Sequence, residues 1–127
     1  MLATLSPYGD RIAVEGPDVR APFGVISAIS LILHELAANA GKYGAWSLPD
    51  GKVSLSWSSN GSEMRMQWRE HGGPPLPATE PTPGSGTMIT DRLLRAAGGR
   101  VERIWRPEGL EAIVTLPVSD VVDPRNG

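Results

Sequence analysis

Apolar positions along this chain recur with two periods, and the points where one gives way to the other mark out its elements. Residues 11–15 (RIAVE) alternate apolar and polar, as an edge or half-buried strand does, and Gly16-Pro17 closes them. From Phe23 the spacing lengthens. Val25, Ile29, Leu33, Leu36 and Ala40 fall on one arc of a helix, which predicts a core-facing helix over 23–43. Pro22 suits its first turn, where a missing N–H costs nothing, and Gly44 is placed to end it. Alternation returns at 52–57 (KVSLSW) and 63–69 (EMRMQWR), joined through Asn60-Gly61, a strong hairpin signal. Val53, Leu55 and Trp57 share one face of the first strand, and Met64, Met66 and Trp68 share one face of the second. Those faces are expected to meet the helix.

Residues 71–86 (HGGPPLPATEPTPGSG) hold too much proline and glycine for regular structure, and so long a loop in a small domain points to a lid or binding loop. A second helix follows over 87–97 (TMITDRLLRAA) and stops at Gly98-Gly99. Residues 100–105 and 110–116 read as a second hairpin about Pro107-Glu108-Gly109, and the polar tail 119–127 is expected to fray. The order strand, helix, two strands, loop, helix, two strands implies an α/β (α+β) two-layer sandwich. Its sheet is mixed and mostly antiparallel, with both helices covering one face and the other solvated or covered by something else.

Composition narrows the picture. At 127 residues, with 40% hydrophobic and 20% charged residues, one domain over 1–118 is expected, followed by the tail. A net charge of -2 argues against a general nucleic-acid binder. The absence of cysteine excludes disulfides, thiolate metal sites and a cysteine nucleophile, and favours a reducing, cytoplasmic setting. No unbroken apolar run nears 18 residues and the first residues do not read as a signal peptide, so no membrane contact is expected.

Chemistry concentrates in three places. On the first helix, Glu35, Asn39 and Lys42 lie within roughly one sixth of the circumference. A carboxylate, an amide and an ammonium so placed can organise a cation and a phosphate chain, the amide oxygen being a hard ligand suited to Mg²⁺. The alternative is a solvated helix face carrying an i to i+4 pair. The second place is the segment 68–73. The third is Gly84-Ser85-Gly86, where glycines at a helix start let backbone amides approach an anion. His34 is expected to orient the acidic face or bond a loop carbonyl, and His71 to be a solvated loop residue. The two are not spaced as a zinc pair, and Trp46, Trp57 and Trp105 read as packing residues.

His34-Glu35-Leu36 with Asn39-Ala40 and Lys42-Tyr43-Gly44, followed by Trp68-x-Glu70, resemble the N-box and Trp-x-Glu of one family. It is the catalytic, ATP-binding domain of the HWE group of sensor histidine kinases, within the GHKL (Bergerat-fold) ATPases. The resemblance runs from about Leu5 to Val118. It implies that Asn39 holds Mg²⁺ against the phosphates of ATP, and that Lys42, Tyr43 and Thr87 lie on the nucleotide. It further implies that Glu70 accepts from the adenine amino group, that Gly72 and Gly73 shape the pocket floor, and that Gly84 and Gly86 form the second glycine box. Glu35 and His34 are the catalytic candidates. The chain departs from the family in having Ser85 where an aromatic is common, and Thr87-Met88-Ile89 where a basic residue follows. The implied partners are a histidine-bearing dimerisation domain, in cis or in trans, and a response regulator. One alternative is a docking or phosphotransfer adaptor that kept the fold and lost catalysis, supported by Ser85 and Met88. Another is a serine kinase of the same superfamily.

Overall fold

The computed structural model describes residues 11–74 and 85–118, with the backbone alone for Ser85 and Gly86. Most of the expected lid, Gly84 and the tail 119–127 lie outside the described residues. The elements are β1 (Ile12–Glu15), α1 (Phe23–Lys42), β2 (Lys52–Ser59), β3 (Glu63–His71), α2 (Ser85–Ala96), β4 (Arg100–Arg106) and β5 (Gly109–Pro117). One sheet forms in the order β1-β2-β3-β5-β4, with β1 parallel to β2 and every other pair antiparallel.

The helical period of α1 explains its position. Val25, Ile29, Ile32, Leu33, Leu36 and Ala40 are all buried, as are Ala28 and Ala37 between them. Each fully buried Leu or Ile contributes about 1.5–3 kcal/mol, which fastens this face to the sheet. The opposing surface carries the expected Val53, Leu55, Met64, Met66 and Trp68, joined by Ala112, Val114 and Leu116 of β5. At 20 residues, with a mean hydropathy of 1.5 over an 18-residue window, α1 is apolar and long enough to cross a membrane by length and composition. The stretch is not an unbroken apolar run, since Ser, His and Glu interrupt it, and 44% of that window is buried inside the fold. In this fold its apolar arc is spent on the sheet.

Several boundaries differ from the sequence reading. β2 and β3 each run two residues further, because Ser58 and Ser59 pair with Arg65 and Met64 and Lys52 pairs with His71, so the backbone ladder extends past the alternating side chains. His71 is therefore the exposed last residue of a strand rather than a loop residue. α2 begins at Ser85 and ends at Ala96. Gly98, at φ +85, follows it, and its N–H donates to Arg95 O at 3.0 Å while that of Gly99 donates to Leu94 O at 2.8 Å. A turn of 3-10 helix at Ala45–Ser47, absent from the sequence reading, links α1 to β2.

Ion pairs divide between the two sheet faces. Arg103 donates both guanidinium nitrogens to Asp91 at 2.9 and 3.0 Å, tying α2 to β4 on the helical side. On the other face Glu111 accepts from Arg69 Nε at 2.7 Å and Arg106 Nη2 at 3.2 Å. That face is polar and charged.

Candidate functional site

Trp68 and Glu70 are two residues apart on β3 and so emerge on one face, beneath the helices. Both are buried, at 1% and 5% exposure. The indole N–H of Trp68 donates to Glu70 Oε2 at 3.0 Å, and the backbone N–H of Ala45 donates to Oε1 at 3.0 Å. Burial outweighs these two donors and pushes the Glu70 carboxyl above the ordinary carboxylate range. Among the described residues each oxygen accepts one bond of the two it can take, so the group retains acceptor capacity.

The loop between α1 and β2 closes over this carboxylate. A Cβ on Gly44 would overlap Glu70 Oε1, and one on Gly73 would lie 2.7 Å from Ala45 Cα. Gly44 is therefore required by space: its φ is -107° and its N–H still bonds Asn39 O at 3.1 Å. Gly72 adopts φ +75° beside Asp50 O. Gly72 and Gly73, expected to shape a pocket floor, are the points where β3 meets the 44–51 loop. Arg11 pins the same loop, donating to Leu48 O at 2.6 Å and to Gly51 O at 3.2 Å, while Trp46 Nε1 donates back to Arg11 O at 3.1 Å.

The polar face of α1 meets the start of α2. Glu35 Oε1 accepts from Asn39 Nδ2 at 3.0 Å, one helical turn on, and from Thr87 Oγ1 at 2.7 Å. Asn39 thus spends its amide nitrogen on Glu35, and its Oδ1 has no protein partner among the described residues. The side chains of Lys42 and Tyr43, at the end of the helix, are exposed and form no hydrogen bond among the described residues. The side chain of His34 is exposed too and bonds neither Glu35 nor a carbonyl among the described residues. Its place on the outer flank of α1 sets it apart from Glu35, which Asn39 and Thr87 hold. Gly86 lies in the first turn of α2.

Sequence reasoning missed three participants: the Ala45 amide, the Arg11 clamp and the donor role of Trp68. Only the last had a local signal, a donor and an acceptor at strand spacing i, i+2. Among the described residues no group of three His, Cys, Asp or Glu could hold a metal ion. Asn39 Oδ1 and the Glu35 carboxylate nevertheless suit Mg²⁺, which takes one or two protein oxygens and completes its shell with phosphate and water. A depression of about 390 Å³ lies on the charged sheet face, lined by Ser58, Glu63, Arg65, Arg100, Glu102 and Thr115 among others, and touches none of the expected site residues.

No family model matches the chain. A blue-light-activated histidine kinase of Erythrobacter litoralis is 39% identical over 113 residues, covering 87% of this chain and 31% of that protein. Another, of Rhizobium johnstonii, is 34% identical over 117 residues, covering 89% of this chain and 34% of its own length. The chain thus spans about a third of the curated relatives it matches. Among solved structures, the histidine kinase domain of the Erythrobacter litoralis EL346 blue-light-activated kinase superposes with a TM-score of 0.73 at 20% identity, over 84% of this chain and 54% of that one. The catalytic domain of histidine kinase ThkA gives 0.65 at 20% identity, over 94% and 88%. The sheet order, the helical layer over one face and the sequence relatives agree, and the chain belongs with the catalytic domains of the histidine kinases.

Proposed function

We propose that this chain is the ATP-binding catalytic domain of an HWE-type sensor histidine kinase, binding Mg-ATP for phosphoryl transfer to a histidine on a separate dimerisation domain. The observation that carries the reading is the Glu35, Asn39 and Thr87 junction, where α1 and α2 meet and the hard amide oxygen of Asn39 has no partner among the described residues. In this reading Asn39 Oδ1 ligates the cation, Lys42 and Tyr43 reach the phosphates and ribose from the helix end, and the backbone at Gly84, Gly86 and Thr87 approaches the phosphate chain at the start of α2. Glu70 accepts from the adenine amine, with Gly72 and Gly73 holding the loop that surrounds it. Mg²⁺, when bound, neutralises charge on the phosphates. Glu35 keeps Asn39 oriented, and His34 stands on the exposed flank, free to meet an incoming partner. A response regulator would receive the phosphoryl group afterwards, in the cytoplasm.

Neither histidine of the chain suits the acceptor role. His34 is fixed on the outer flank of α1, and His71 pairs with Lys52 on the sheet face opposite Glu70. The acceptor imidazole nitrogen must stand in line with the γ-phosphorus as ADP departs. Calorimetry with ATP in the presence and absence of Mg²⁺ tests the reading. Asn39→Ala is expected to remove the Mg²⁺-dependent part of the affinity. Equal binding by wild type and variant in Mg²⁺ rejects the assignment. With radiolabelled ATP, the chain alone is expected to gain no acid-labile, base-stable phosphate, and an added dimerisation domain to become labelled. No nucleotide binding at all would favour the docking adaptor.

A further inference from the structure

We propose that Trp68 is the positioning residue of the base pocket: its indole N–H fixes how Glu70 presents its oxygens, and so sets the preference for a 6-amino purine over a 6-oxo purine. The proposal rests on Glu70 reading the base. Its own support is geometric. The two fixed donors act on different oxygens, Trp68 Nε1 on Oε2 and Ala45 N on Oε1, each at 3.0 Å, so the carboxylate cannot rotate without losing both. Neither donor is free to follow it. Trp68 packs edge-on against Trp46 with ring centroids 5.6 Å apart, and Trp46 is itself held through Arg11 O.

An ionised carboxylate only accepts, so it favours an exocyclic amine and disfavours a carbonyl oxygen; a protonated one also donates, and the distinction fades. Which form is present depends on the indole. Burial raises the Glu70 carboxyl, and the Trp68 and Ala45 donors oppose it. Among the described residues no charged side chain supplies the balance. The loop brings Gly44 and Ala45, β2 brings Val53, and β5 brings Gly109 and Leu110. Arg69 and Glu111 bond each other on the opposite sheet face, where Lys52 and His71 also lie. Glu35 is engaged by Asn39 and Thr87, and Lys42 and Tyr43 are exposed. Removing the indole N–H therefore leaves burial against a single amide.

The test compares ATP with inosine triphosphate, which differs at the 6 position, by calorimetry from pH 6 to 9 on wild type, Trp68→Phe and Glu70→Gln. The Glu70 carboxyl is followed in parallel by carbon-13 NMR on the nucleotide-free chain. In Trp68→Phe the preference for ATP is expected to fall about tenfold at pH 7, the scale of one hydrogen bond to a charged group. It should recover as pH rises, with the carboxyl titrating at higher pH than in wild type. A simple packing defect would weaken both nucleotides alike at every pH. If Trp68→Phe does not fold, benzothienylalanine at position 68 keeps the bicyclic ring and replaces N–H by sulfur, with the same expectation. If Glu70→Gln abolishes the preference while the Trp68 variant matches wild type in preference and titration, the proposal alone is overturned. If Glu70→Gln leaves the preference intact, the assignment of Glu70 to the base fails, and the proposal with it.

Discussion

Gly44 and Gly24 sit at the two ends of α1, and a methyl group added to each meets opposite surroundings. At Gly44 it overlaps the Glu70 carboxylate and lies 3.1 Å from Ala40 Cα; at Gly24 nothing lies within 4 Å. Overpacking of this kind costs about 1–3 kcal/mol, whereas alanine in an open helical position gains up to about 1 kcal/mol. Gly44→Ala is therefore expected to lower the urea midpoint and Gly24→Ala to hold or raise it. Because the displaced group at Gly44 is Glu70, the Gly44 variant should also lose ATP affinity beyond its loss of stability. Equal midpoints in the two variants would falsify this account of the loop. The same crowding explains why a glycine that looks like a helix stop need not adopt a left-handed conformation.

Strands β3, β5 and β4 are stitched across their charged face by Glu111, and this join should respond to acid. The Arg69 hydrogen bond, followed by that of Arg106, holds the Glu111 carboxyl below its ordinary value of 4.5 despite partial burial. A carboxyl lowered on folding contributes stability that is present above 4.5 and is lost as pH falls through the folded value. Glu70 runs the other way: raised on folding, it takes up its proton above 4.5, so between its folded value and 4.5 it favours the folded state increasingly as pH falls. Urea unfolding between pH 3 and 7 should show Glu111→Gln flattening the limb below about 4.5 and leaving the slope above it unchanged. Both arginines are half exposed, so molar salt should reduce the difference between wild type and variant. An acid limb identical in wild type and variant would count against this role.

For the molecule as a whole, the layer architecture and the order of elements were legible because each depends on a local period. The arc from Val25 to Ala40 and the alternating pairs about Asn60-Gly61 need no distant partner to be recognised. The family resemblance likewise rests on short runs, His34-Glu35-Leu36 and Trp68-x-Glu70. What escaped was set by contacts between segments far apart in sequence. Ala45 reaches Glu70 across 25 residues, Arg11 reaches Leu48 across 37, and Thr87 reaches Glu35 across 52. No window of sequence contains both partners. His71 was misplaced for the same reason: the residue that keeps it in the sheet is Lys52, on another strand.

The turn that joins β2 to β3 also governs how the protein ages. Asn-Gly pairs lose ammonia when the glycine nitrogen attacks the asparagine side-chain carbon, and that attack needs both atoms free. Here Gly61, at φ 96°, donates its N–H to Ser59 Oγ at 3.2 Å. Asn60 Oδ1 is held by three donors, Ser62 N at 3.0 Å, Ser62 Oγ at 3.1 Å and Glu63 N at 2.8 Å. The reactive pair is thus locked while the hairpin is closed, and the chemistry proceeds only through openings of the turn. Conversion of Asn60, followed as a one-dalton mass gain, should be slow in native buffer and rise steeply in urea. Ser62→Ala, which removes one of the three donors, should quicken it in native buffer alone. A native rate equal to that of the unfolded chain would show that the turn offers no such protection.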